Sequence, residues 1–125
     1  MDRHRWRFYE TTNGRQPVRD FINDLSDEDA AEVVAALKDV ARKGTAAAQH
    51  VRGDLYEVKA DGRNRTYRIL FAPEGKHDQV LLALQGLVKK TQRLPHDTIG
   101  VAEDRLVEWR MRGEERRRRT RPDRQ

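Results

Sequence analysis

A chain of 125 residues, 38% charged and 36% hydrophobic, fits one domain whose scarce apolar material must gather on a few faces to overcome chain entropy. The lack of cysteine excludes disulfides, thiolate zinc sites and cysteine nucleophiles; no apolar stretch approaches the ~18 residues of a membrane span, and MDRHRWRFYE has no signal-peptide core, so a cytoplasmic protein is expected. The net charge of +5 resides in the tail, because residues 110–125 carry eight arginines against Glu114, Glu115 and Asp123, which leaves the rest of the chain neutral.

RWRFYET, residues 5–11, alternates Trp6 and Phe8 with arginines and predicts a first strand, broken at Asn13-Gly14. Pro17 suits a first helical position, and Val18, Phe21, Ile22 and Leu25 fall at i, i+3, i+4 and i+7 of a short amphipathic helix. Ser26 offers an N-cap to a second helix, with Asp27, Glu28 and Asp29 favoured by its dipole. The stripe of that helix is Ala30, Val33, Val34, Leu37, Val40 and Ala41, and Gly44 stops it. A loop of small residues leads to His50.

LYEVKA (55–60) and TYRILF (66–71), flanking the turn-rich ADGRNR, predict a β-hairpin. Alternation sets Tyr67, Ile69 and Phe71 on one face and Arg68 on the other; Glu57 and Lys59 share a face opposite Tyr56 and Val58. QVLLALQGL (79–87) is apolar on both sides and so central. It runs straight into Lys89 and Lys90. A last helix begins near Asp97, turns Ile99, Ala102, Leu106 and Trp109 inward, and is expected to fray at RRRR, 116–119. The organisation expected is a single domain over 1–109 with an arginine-rich helix end and tail over 110–125.

Charge is uneven along the body. Residues 17–50 are net acidic, whereas residues 52–93 hold nine basic against five acidic groups. If the hairpin and the following strand share a sheet, Lys59, Arg68 and the Lys89-Lys90 end converge on one concave side, with Arg63 and Arg65 at the turn and Gln92 and Arg93 beyond the lysines. Such a polycationic cluster, without a carboxylate-rich counterpart, suits a polyanion whose charge rises during reaction. In RNA cleavage the 2′-hydroxyl attacks its own phosphate, and fixed Lys and Arg donors stabilise the phosphorane. No HExxH, ligand-spaced histidine pair or strand-end Asp cluster is present, so neither metal nor cofactor is expected. His50, His77, His96, Tyr67 and a lysine crowded by like charge are the candidate bases, His96 being the best placed histidine. The arginine tail reads as a solvated end or as a phosphate contact.

With these features in this order, W-R-F-Y-E-T, the helix pair, G-D-L-Y-E-V-K, T-Y-R-I-L-F, L-V-K-K-T-Q-R-L-P and a last helix with Ala102 and Arg105, the chain resembles the RelE/ParE superfamily of toxins from toxin-antitoxin pairs, and its HigB-type, phage-associated branch in particular. The resemblance covers roughly residues 6–106. It implies an α+β fold, two N-terminal helices packed on a small twisted antiparallel sheet with a C-terminal helix, and a ribosome-dependent endoribonuclease that cuts mRNA. Arg68 then corresponds to a strand arginine that holds the scissile phosphate, Lys59 to a basic residue on the preceding strand, Lys90 with Lys89 to the cation after the last central strand, and His96 to a C-terminal acid/base group. Arg63, Arg65, Gln92 and Arg93 would contact RNA. Glu57 departs from the pattern, standing where the best-known ribonucleases of the family carry a basic residue. The implied partners are an antitoxin of helix-turn-helix type, the ribosome and mRNA, in a higher-order toxin-antitoxin complex and with no membrane. The ParE branch implies an alternative, a non-catalytic poison of DNA gyrase; a nucleic-acid-binding adaptor using the tail is a third reading.

Overall fold

The computed structural model describes residues 3–90 and 93–120. Its elements in chain order are β1 (Arg5–Phe8), α1 (Pro17–Asn23), α2 (Asp27–Lys43), β2 (Gln49–Arg52), β3 (Leu55–Asp61), β4 (Thr66–Glu74), β5 (Val80–Val88) and α3 (His96–Thr120). The strands form one sheet in the order β1-β5-β4-β3-β2. β2 to β5 pair antiparallel, and β1 closes the sheet by pairing parallel to β5. The architecture is RelE/ParE-like: two N-terminal helices on a largely antiparallel sheet, followed by a C-terminal helix.

Strand alternation divides the core in two. Tyr67, Ile69 and Phe71 of β4, with Leu81 and Ala83 of β5, face Val18 of α1 and Val33, Leu37 and Val40 of α2. The alternate residues Leu70, Ala72, Leu82 and Leu84 face Ala102 and Leu106 of α3. Ser26 caps α2 as expected, its hydroxyl accepting from Asp29 N–H, and Gly44 ends the helix at φ 69°. Phe71, fully buried, makes a T-shaped contact with Trp6, ring centroids 5.0 Å apart.

A bulge interrupts the β4–β5 ladder, since Leu70 pairs with Gln85 but Phe71 with Ala83. The extra residue, Leu84, swaps the two faces of β5. Beyond it Leu87 stands opposite Arg68, while Gly86 lies so close to Phe21 of α1 that an added Cβ would come within 2.6 Å of the ring. Arg105 of α3 holds this point, donating to the Leu84 carbonyl at 2.7 Å and to Gln85 Oε1 at 2.9 Å.

Three element boundaries depart from expectation. β1 ends at Phe8 rather than continuing to residue 11, and His50 belongs to an edge strand, β2, where a loop was expected. The RRRR segment does not fray: α3 remains helical to Thr120. Its arginines lie at the C-terminal end of the helix dipole, where cations are favoured, and Arg118 reaches Glu114 one turn back at 3.9 Å. Closer to the sheet, α3 is fastened by Tyr9, whose hydroxyl donates to Glu108, and by Arg110, which bonds Glu74 at 2.7 Å and Asp54 at 3.0 Å.

Candidate active site

The β3–β4 register sets Lys59 directly opposite Arg68. Glu57, two residues before Lys59 and therefore on its face, supplies the carboxylate between them: Oε1 lies 3.9 Å from Lys59 Nζ and Oε2 lies 3.7 Å from Arg68 Nε. The two cations differ in access. Arg68 is 2% exposed and is the largest fully buried side chain, whereas the Lys59 side chain is 41% exposed. Glu57 is buried with Arg68. One acid thus sits inside the basic cluster. Its signal in the sequence was the i, i+2 spacing of Glu57 and Lys59, which alternation places on one side of a strand.

Lys89 is drawn to the same end of the ladder, where its N–H donates to the Thr66 carbonyl at 2.7 Å; Lys90 follows and is exposed. Arg63 and Arg65, exposed at the β3–β4 turn, keep different company. Arg63 N–H donates to Asp29 Oδ1 at 2.9 Å, and both arginines line a cleft with the acidic start of α2. His96 opens α3 and is exposed, its side chain making no hydrogen bond or ion pair among the described residues. Arg93 is exposed as well, and Gln92 lies outside the described residues.

The remaining candidate bases have local explanations. Tyr67 is on the opposite sheet face from Arg68, buried, with its hydroxyl donated to Asp29. That bond, followed by desolvation, raises the pKa of Tyr67; reciprocally, the hydroxyl and then the Arg63 N–H hold the Asp29 carboxyl below the usual range. His50 Nε2 is bonded to the Gly53 carbonyl at 2.8 Å, and His77 occupies a turn with φ 57°. Among the described residues no three His, Cys, Asp or Glu side chains gather as metal ligands, and no helix is long and apolar enough to cross a membrane.

Fold and site together define a RelE/ParE-type scaffold carrying a buried Arg–Glu pair beneath an accessible lysine. Residues 20–107 match the phage derived protein Gp49-like family (DUF891), and the chain belongs to that family. It is also similar to two curated proteins of Mycobacterium tuberculosis, each named probable endoribonuclease HigB1, from strain CDC 1551 / Oshkosh and strain ATCC 25618 / H37Rv. Each is 26% identical over 108 residues, which span 84% of this chain and 84% of the relative.

Proposed function

We propose that the chain is the toxin of a toxin-antitoxin pair, a ribosome-dependent endoribonuclease that cuts mRNA by chemistry needing no metal. Its toxin domain spans residues 1–109, residues 110–125 form the helix end and tail, and a helix-turn-helix antitoxin is its partner. The likeness to two proteins named probable endoribonucleases supports the class. One observation carries the chemistry: Arg68 is buried against Glu57 directly across from the accessible Lys59. A buried ion pair is a poor source of stability, because desolvation offsets most of its attraction, and apolar residues would fill the same space at least as well. Its use is as fixed charge.

In this reading Lys59 touches the phosphate, with Lys89 and Lys90 on the same polyanion and Arg68 adding positive potential from beneath. The 2′-oxygen attacks phosphorus, the bond to the 5′-oxygen breaks, and the products are a 2′,3′-cyclic phosphate and a 5′-hydroxyl. One group removes the 2′-hydroxyl proton and another supplies a proton to the departing oxygen. His96 is proposed as the donor. Glu57 is a positioning residue that holds Lys59 and Arg68 in register, so that their charge meets the phosphorane without reorganisation.

A second reading draws on α3, where Met111 is 62% and Val107 56% exposed, an apolar surface suited to a protein target such as DNA gyrase. Mapping mRNA 5′ ends after brief induction separates the two. Cuts within translated codons support the nuclease, whereas intact messages with lost DNA supercoiling support the poison.

A further inference from the structure

At the edge of the sheet β1 pairs, among the described residues, with β5 alone. Arg5 N–H donates to the Gln79 carbonyl and Tyr9 N–H to the Ala83 carbonyl, so the odd-numbered residues turn their backbone groups to β5. Trp6 and Phe8 therefore turn theirs outward. Beside that edge, between β1 and the helices α1 and α2, runs a groove of about 730 Å³. Its floor is apolar, formed by Trp6, Phe8, Ile22 and Leu37, and Val34, expected to face inward, is instead 39% exposed at its wall. Trp6 is fixed there, its indole N–H donating to the Leu37 carbonyl at 2.6 Å.

Among the described residues the charge around this floor has one sign: Arg3, Arg5, Arg19 and Lys38 line the groove, and no carboxylate does. None of the four makes an ion pair among the described residues; Arg19 rests over the Phe8 ring, 5.0 Å from its centroid.

We propose that the β1 edge and its groove bind an acidic, extended protein segment that adds a sixth strand to the sheet. Its backbone pairs with Trp6 and Phe8, alternate apolar side chains fall on Trp6 and Val34, and its carboxylates meet the arginines and Lys38. A short, arginine-bearing edge strand repels a second copy of itself, because two β1 strands laid together would juxtapose Arg5 and Arg7 of both. The same charges attract an acidic strand. The cations thus select the partner as well as keeping the edge from self-association.

The test uses the full chain labelled with nitrogen-15 and three probes: a twelve-residue peptide alternating valine with glutamate, the same peptide with lysine in place of glutamate, and single-stranded oligouridine. The glutamate peptide is expected to move the Trp6 indole resonance, to slow hydrogen exchange at the Trp6 and Phe8 amides, and to bind at least about tenfold more tightly than the lysine peptide. The double variant Arg5→Glu, Lys38→Glu reverses that preference while its melting temperature and Trp6 indole resonance report an intact groove. Equal binding of the two peptides, shifts confined to other surfaces, or a response to the RNA alone would overturn the proposal. So would a dimer that protects the Trp6 and Phe8 amides without any peptide. Cleavage of RNA is not part of the readout, so the result is independent of nuclease activity.

Discussion

Lys59 of β3 and Arg68 of β4 are cross-strand partners that share one carboxylate, that of Glu57. The two cations differ in access: Arg68 is buried, and the Lys59 side chain is 41% exposed.

Removing Glu57 leaves Arg68 buried without this carboxylate. Glu57→Ala is expected to destabilise the fold by roughly 2–3 kcal/mol, read from denaturant unfolding, whereas the exposed Lys59→Ala changes stability by less than about 0.5 kcal/mol. A Glu57→Ala protein as stable as the wild type would mean that the pair is not coupled.

The Tyr67–Asp29 bond gives stability a defined acid limb. Because Asp29 has a folded pKa depressed below its unfolded value near 4, its contribution is fully present above that value and lost as pH falls through the lower, folded pKa. Melting temperatures followed from pH ~5 to ~2 are expected to fall less steeply for Asp29→Asn than for the wild type, from a lower plateau at neutral pH.

Arg105 clamps the bulge that swaps the faces of β5. Arg105→Met keeps much of the side-chain volume and removes both donors. Amide exchange across residues 84–88 is expected to accelerate by at least about tenfold, with a parallel loss of cleavage as Lys89 and Lys90 lose their placement. Exchange confined to the wild-type rate would show that the ladder alone fixes the bulge.

Gly86 lies under Phe21, leaving no room for a methyl group. Gly86→Ala is expected to cost about 1–3 kcal/mol through displacement of α1, checked by thermal unfolding, whereas Gly100→Ala, inside α3 with nothing within 4 Å, is expected to stabilise by about 0.5–1 kcal/mol.

Much of this was legible in local pattern. The alternation of TYRILF placed Arg68 opposite Tyr67, and Ser26 and Gly44 marked the ends of α2 correctly. What pattern could not carry was register. Glu57 pairs with Leu70 in the ladder, so its reach to Arg68 depends on a cross-strand diagonal that no single strand reveals. The parallel partnership of β1 with β5 joins segments about seventy residues apart and leaves no local trace. β2 has a single apolar residue, Val51, and so lacks the alternation that announces a strand. In the RRRR segment, like-charge repulsion argued for fraying, but the helix dipole and the glutamates one turn back favour continuation.

If Lys59 and its buried Arg–Glu support form a phosphate site, single-turnover cleavage of mRNA on programmed ribosomes depends on that lysine. Wild-type products are expected to carry 5′-hydroxyl ends, and Lys59→Ala to cleave at least about a hundredfold more slowly at unchanged melting temperature. Cleavage by Lys59→Ala at the wild-type rate would contradict it.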